Sequence, residues 1–85
     1  MKAHYELFRK PKGGVYHLIE EKTVDFQRTM YYIAKEVEKK ITGRKRTLNL
    51  WIRNGDKCSD LYHEYKFDKQ KFGISTDYLL IIKRV

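Results

Sequence analysis

The chain has few cysteines, prolines and glycines for its 85 residues, and each shortage excludes a class of protein. Cys58 is the only cysteine, so an intramolecular disulfide is impossible and no pair of thiols has the spacing of a metal site. A single thiol also favours a reducing compartment, and we expect a cytoplasmic location. One proline and five glycines are too few for a disordered chain rich in helix and strand breakers.

Long apolar segments are missing as well. The longest apolar run, residues 78–82, has five residues, whereas a membrane-spanning helix needs about 20. Within residues 1–10, charged side chains such as Glu6, Arg9 and Lys10 interrupt what would have to be the apolar core of a secretory signal. The sequence therefore predicts a soluble protein with no signal peptide and no membrane contact.

Acidic residues are in the minority. Nineteen lysines and arginines oppose eleven aspartates and glutamates, which gives a net charge of +8. This excess excludes a nucleic-acid mimic and favours a polyanionic or acidic partner. Hydrophobic residues make up 41% and charged residues 35%, which is a globular composition, and a chain this short builds one core. We expect a single compact domain over residues 1–85.

The first segments predict a β-hairpin followed by a helix. Residues 3–9 and 15–20 are rich in aromatic and β-branched side chains, and a segment with proline and two glycines separates them. From residue 23 to 41 the apolar period becomes helical, with Thr23 as the predicted N-cap and Gly43 as the residue that ends the helix. The apolar stripe of this helix comprises Phe26, Met30, Ile33, Ala34, Val37 and Ile41.

Residues 46–53 alternate between apolar and polar side chains, as a half-buried strand does. Asn54 and Gly55 then predict a two-residue hairpin turn, so residues 57–67 would pair back with Arg53 opposite Asp56. This register places Trp51 opposite Cys58. The predicted core positions are Leu48, Leu50, Leu61 and Phe67, with Ile52 and Tyr65 on the same face, and Trp51, Arg53, Tyr62, Glu64 and Lys66 lie on the other.

The last apolar run, residues 77–85, shows little alternation, which suits a strand covered on both sides or one central in the sheet. The order is then β-β-α-β-β-β, an α+β domain in which one amphipathic helix packs on one face of an antiparallel sheet. A helix is about 10–12 Å wide and strands are about 4.8 Å apart, so one helix covers two or three of five strands. The opposite face is left open for a polar surface, a ligand or a second copy.

The side of the predicted helix opposite its apolar stripe is cationic. It forms a row without a carboxylate and continues into the basic residues that follow the helix. Such a row suits nucleic-acid phosphates, and the alternative is a solvated helix surface. The predicted nucleic-acid-binding residues are Arg28, Tyr32, Lys35, Lys39, Lys40, Arg44, Lys45 and Arg46.

The open sheet face is the second candidate site. Aromatic and cationic side chains project there in the predicted register, a mixture on which bases stack. Packing within the domain, or a protein interface with Trp51 as its anchor, explains the same pattern. Residues 3–9 could also form an exposed edge strand that pairs with a partner or a second copy. The predicted sheet-face binding residues are Trp51, Arg53, Tyr62 and Lys66.

No catalytic or metal motif is found among the histidines and carboxylates, so no catalytic residue, metal or cofactor is expected. His4, His17 and His63 all fall on predicted strands. His63 is followed by Glu64, but adjacent strand residues point to opposite faces, which argues against a joint role in a small ribonuclease. Cys58 is expected to be a small packed residue.

These observations predict a small, basic, non-enzymatic protein that binds the phosphates of DNA or RNA. The first alternative is an inhibitor or adaptor, of the kind encoded by phages and mobile elements, that docks on an acidic surface of a partner protein. Homodimerisation is its simplest version. A small ribonuclease is the least favoured alternative.

Overall fold

The computed structural model describes residues 1–11, 13–47, 49–67 and 76–85. All strand pairs are antiparallel and form one five-stranded sheet of order β2-β1-β5-β4-β3. The predicted α+β class is confirmed. The elements are β1 (Lys2–Lys10), β2 (His17–Asp25), α1 (Tyr31–Thr42), β3 (Trp51–Arg53), a 3-10 turn (Gly55–Lys57), β4 (Tyr62–Phe67) and β5 (Asp77–Arg84).

The last strand, β5, lies in the centre of the sheet, as its apolar run predicts. The hairpin of β1 and β2 is also confirmed, with an irregularity in the ladder between Leu7 and Phe8. The prediction that residues 3–9 form an exposed edge strand is wrong, because β1 pairs with β2 on one side and with β5 on the other. The two edge strands are β2 and β3.

The helix begins at Tyr31, eight residues later than predicted. Thr23 is not its N-cap: it lies in β2 opposite His4, whose Nδ1 is 3.0 Å from the Thr23 hydroxyl. Pairing with β1 keeps the backbone extended as far as Asp25, and this ladder outweighs the local helical pattern. The end of the helix is as predicted, since Gly43 adopts φ 68° and its N–H donates to the Lys39 carbonyl.

The core lies between α1 and the covered face of the sheet. The residues predicted as the apolar stripe do reach it, although Phe26 and Met30 do so from the segment that precedes the helix. The predicted core positions Leu50 and Phe67 are buried as well. The buried hydrophobic residues are Ala3, Tyr5, Leu7, Phe26, Met30, Ile33, Ala34, Val37, Leu50, Trp51, Tyr65, Phe67, Leu80 and Ile82.

The faces of β3 are the reverse of the prediction. Ile52 is 54% exposed, while Trp51 is 7% exposed and packs under α1. The alternation fails because Asn49 takes a left-handed backbone conformation, φ 53°, so the strand begins only at Trp51 and Leu50 is buried beside it. Leu48, also predicted for the core, lies outside the described residues.

The predicted two-residue turn is wrong too. Gly55 opens the 3-10 turn, and Arg53 pairs with Tyr65 instead of Asp56. Trp51 lies opposite Phe67, with their ring centroids 4.3 Å apart, and this aromatic contact replaces the expected pairing with Cys58. Leu61, expected in the core, precedes β4 and is 63% exposed. Burial of two large rings outweighs the local preference for a tight turn.

A buried carboxylate connects α1 to the segment before β3. Glu38 is fully buried, and its two oxygens accept hydrogen bonds from the Thr47 hydroxyl and the Leu50 N–H, both at 2.7 Å. These contacts hold the chain that leaves the helix against its last two turns. In the part of the chain that the structure describes, no helix has the length and apolar character required to cross a membrane.

Candidate functional site

The exposed start of α1 brings an aromatic ring and two cations together. Arg28 precedes the helix in a left-handed conformation, φ 69°, and its Nη1 donates to the Tyr32 hydroxyl at 3.1 Å. The Nζ of Lys35 lies 5.3 Å from the ring centroids of both Tyr31 and Tyr32, within the range of cation–π attraction. Tyr32 is 40% exposed. We call Arg28, Tyr32 and Lys35 the helix-start cluster.

The next two lysines of the row have carboxylate partners. Lys39 Nζ lies 3.2 Å from Glu36, one turn earlier on the helix, and Lys40 Nζ lies 3.0 Å from Glu20 of β2. Hydrogen bonds from Tyr5 and Lys40 lower the pKa of Glu20, and the same contact with Glu20 raises the pKa of Lys40. Glu36 reaches Lys39 from the flank of the helix, and Lys40 belongs to the flank that faces β2.

The basic segment after α1 is exposed, as expected. Arg44, Lys45 and Arg46 follow Gly43 directly and all three face solvent. The chain is held on both sides of them, by the helix end at Gly43 and by the hydrogen bond from Thr47 to Glu38. Cations are favoured here, because the carbonyl groups at a helix C-terminus carry partial negative charge. We call residues 44–46 the basic segment.

Together the helix-start cluster and the basic segment mark the two ends of one cationic surface. The 12 residues of α1 rise about 18 Å from one end to the other. Phosphates of one strand of a DNA duplex follow each other every 3.4 Å or so along the axis, so this length spans about five phosphates. Lys35 and Lys39 lie between the two ends.

The four residues predicted as a binding site on the open sheet face do not meet. Trp51 and Arg53 lie on the side covered by α1, because they pair with Tyr65 and Phe67, which face the helix. The indole Nε1 of Trp51 donates to the Ala34 carbonyl at 2.8 Å. Tyr62 and Lys66 do lie on the open face. They are separated because the side chains of β3 point to the faces opposite to those predicted.

The open face carries an apolar row that the sequence pattern did not reveal. Register places Leu18, Phe8 and Leu79 side by side, with Lys66 next and Ile52 at the far edge, so four of the five positions are apolar. Ile52 is 54% exposed and Leu18 is 48% exposed. Only the strand order and the ladder register show that these residues from five different segments are neighbours.

A cleft opens beside the start of α1, with a volume of about 630 Å³. Three arginines from different segments line it, Arg28, Arg53 and Arg84, and Asp60 and His63 also reach it. Its apolar wall comprises Met1, Phe26, Met30, Tyr31, Trp51 and Tyr65. We call it the arginine cleft. The sequence pattern did not indicate this cleft, because the predicted register placed Arg53 on the open face of the sheet. Arg53 reaches the cleft only in the observed register.

His63 and Tyr65 form a hydrogen-bonded pair in the arginine cleft. The His63 Nδ1 and the Tyr65 hydroxyl are 2.8 Å apart. Burial lowers the pKa of His63, and the nearby charge of Arg53 lowers it further. Burial raises the pKa of Tyr65 to about 12. The imidazole is therefore neutral at pH 7 and the phenol keeps its proton, so the three arginines and Asp60 determine the charge of the cleft.

The predicted opposition of His63 and Glu64 is confirmed, since Glu64 bonds to Tyr62 on the open face. Cys58 is half-buried, and its sulfur lies 3.5 Å from the backbone nitrogen of Glu64, in keeping with a packed residue. Over the described ranges, no three His, Cys, Asp or Glu side chains come together as a metal site would require.

No protein-family model, no curated protein sequence and no solved structure matches this chain. The functional argument therefore starts from the geometry of the surfaces described above.

Proposed function

We propose that the protein binds the phosphate backbone of a nucleic acid through the outer surface of α1 and the basic segment. The observation that carries this proposal is the helix-start cluster, in which the exposed ring of Tyr32 has Arg28 at its hydroxyl and Lys35 near its face. Two cations beside an exposed ring offer phosphates a charge partner and offer a base an aromatic surface.

The cations of this surface differ in whether a nearby carboxylate neutralises their charge. Arg44, Lys45 and Arg46 face solvent at one end. At the other end Arg28 bonds to the Tyr32 hydroxyl and Lys35 lies near two tyrosine rings. Lys39 shares its charge with Glu36, a surface pair that is 70% exposed on the glutamate side and is worth little in water. A phosphate can displace such a partner at small cost. The surface therefore favours sequence-independent contact with phosphates.

Fluorescence anisotropy with single- and double-stranded 20-nucleotide DNA and RNA tests the proposal. Binding that neutralises four phosphates of a single strand should weaken with salt with a log–log slope of about −3. The variant with Lys35, Lys39, Arg44 and Lys45 all changed to glutamate should lose binding and keep its melting temperature to within a few degrees. Absence of binding by the wild-type protein to all four probes at low salt would show that the proposal is wrong.

A matched control separates this surface from net charge alone. Changing Lys2, Arg9, Lys66 and Lys83 to glutamate makes the same change in net charge at exposed positions on the sheet. We expect this control to bind with reduced affinity and with the salt slope of the wild type, since long-range attraction falls but the contacts remain. Equal loss in both variants would contradict a site on α1.

A second candidate function is self-association through the open sheet face, for which the apolar row is the specific observation. Lysines and carboxylates occur in nearly equal numbers on that face, in contrast to the +8 of the whole chain. Two copies joined there would bury the apolar row and keep both cationic helix surfaces pointing outwards. The charged residues of the face are Lys2, Lys10, Lys66, Lys83, Glu6, Glu21, Glu64, Asp25 and Asp77.

Sedimentation velocity tests this second function. A dimer should dissociate when Leu18 and Ile52 are both changed to aspartate, because the two exposed residues sit in the apolar row without being part of the core. A wild-type monomer at 100 μM or so would exclude a stable dimer. Docking on an acidic partner protein, with an inhibitor or adaptor role, and the cytoplasmic location both stay predictions.

A further inference from the structure

The three arginines of the arginine cleft have charges without a carboxylate partner. Within the described residues, no carboxylate oxygen lies within 4.0 Å of these guanidinium groups, whereas Lys39, Lys40 and Lys83 each have one. Arg28 bonds to the Tyr32 hydroxyl, and Arg84 Nη2 contacts the Met1 sulfur at 3.1 Å. A single carboxylate, Asp60, lines the same cavity. Three arginines against one aspartate leave the cleft with a net positive charge.

The three arginines of the cleft come from three different parts of the fold. Arg53 is the last residue of β3, and Arg84 is the last residue of β5. The backbone N–H of Arg84 donates to the Leu61 carbonyl at 2.9 Å. Arg28 lies in the segment that leads into α1. Guanidinium groups that line one cleft from three parts of the chain suit a compact anion with several oxygens, because a guanidinium can offer two parallel N–H donors to a phosphate.

The size and the apolar wall of the cleft indicate a ligand with an organic part as well as an anionic group. Its volume of about 630 Å³ falls in the range of cavities that hold small organic ligands. The wall includes the half-buried ring of Tyr31, whose centroid lies 5.8 Å from that of Tyr65. Aromatic side chains beside arginines are the surroundings in which a nucleobase stacks and a phosphate is bound at the same time.

We propose that the arginine cleft binds a nucleotide carrying a terminal phosphate, with Arg28, Arg53 and Arg84 as the phosphate ligands and the Tyr31 side of the wall as the surface for the base. This site shares Arg28 with the helix-start cluster. Arg53 and Arg84 belong to the cleft alone, and the proposal goes beyond the proposed function. The nucleotide is either free or the phosphorylated end of a strand.

Isothermal titration calorimetry tests the site with adenosine 5′-monophosphate, inorganic phosphate and adenosine. We expect the monophosphate to bind at least tenfold more tightly than either of the other two, because only it fills both parts of the cleft. Changing Arg53 and Arg84 to glutamine should weaken its binding at least tenfold. Both side chains are exposed, so the fold should survive, and thermal melting checks this. No heat of binding at millimolar monophosphate, or an unchanged affinity in the double variant, would overturn the proposal.

Control variants make this result independent of the proposed function. Arg44→Gln with Lys45→Gln removes two charges from the basic segment and should leave the affinity for the monophosphate unchanged; an equal loss there would also overturn the cleft as the site. Oligonucleotides with and without a 5′-phosphate then identify the source of the ligand. Tighter binding of the phosphorylated strand assigns the cleft to strand ends, and equal binding, with the monophosphate still bound, assigns it to a free nucleotide.

Discussion

The indole nitrogen of Trp51 donates a hydrogen bond of 2.8 Å to the carbonyl oxygen of Ala34, across the interface between β3 and α1. Ala34 is fully buried, and its small side chain allows the helix backbone to approach the sheet closely enough for this bond. The same indole packs against Phe67 and Tyr65 of β4. A strand of only three residues is thereby held in one register, and that register directs Arg53 to the arginine cleft.

Trp51 should therefore be a major contributor to stability. We expect Trp51→Ala to lower the free energy of unfolding by about 3–5 kcal/mol, since it leaves a large cavity under α1. Trp51→Phe should cost less, because it keeps much of the packing and removes the hydrogen bond. Urea denaturation measures both. Wild-type stability in the alanine variant would be incompatible with a buried indole.

The same substitution at two isoleucines tests the orientation of the elements. Ile33 is 5% exposed under α1, and Ile33→Asp should abolish cooperative thermal unfolding because it buries an unpaired charge. Ile52 is 54% exposed on the open face, and Ile52→Asp should shift the melting temperature by less than about 4 °C. If the two variants behaved in the opposite way, the observed faces of β3 would be wrong.

Glu38 should hold the segment before β3 in place. Glu38→Ala leaves the buried Leu50 N–H without its acceptor and removes the bond to Thr47, so we expect a loss of about 3 kcal/mol in the free energy of unfolding. Glu36→Ala, at an exposed position on the same helix, is the matched control and should change stability by less than about 0.5 kcal/mol. Chemical denaturation of the two variants side by side measures the difference.

Acid should destabilise the protein through His63. Its pKa in the folded state is below the ordinary value of 6.5, first because of burial and then because of Arg53, so the unfolded chain binds more protons around and below that pH. The free energy of unfolding should fall as the pH drops from 7.5 to 5.5. The variant His63→Gln lacks this titrating group, so its free energy of unfolding should vary less with pH. Equal pH profiles for wild type and variant would contradict a shifted His63.

Short-range patterns were reliable where local and tertiary preferences agree. The β1–β2 hairpin, the central position of β5 and the end of α1 at Gly43 all follow from the chain order of apolar residues and turn residues. The start of α1 did not, because the ladder between β1 and β2 continues through residues whose spacing is also helical. Phe26 and Met30 reach the core in either conformation, which is why the pattern is ambiguous.

Of the two candidate sites, one could be predicted from the sequence and the other could not. Tyr32 and Lys35 lie away from the apolar stripe of α1 because a helix repeats every 3.6 residues, so this placement was predictable from spacing alone. The arginine cleft was not predictable, because Arg28, Arg53 and Arg84 are far apart in the chain and line one cavity only in the folded structure.

The amino-acid sequence by itself determined the charge of the protein, its α+β class and the cationic outer surface of the helix, because these depend on composition and on periodicities of a few residues. Only the tertiary structure decided which face of β3 is buried. Packing Trp51 between Ala34 and Phe67 buries more apolar area than the alternating pattern around Ile52 could, and long-range burial of that size outweighs local turn preference.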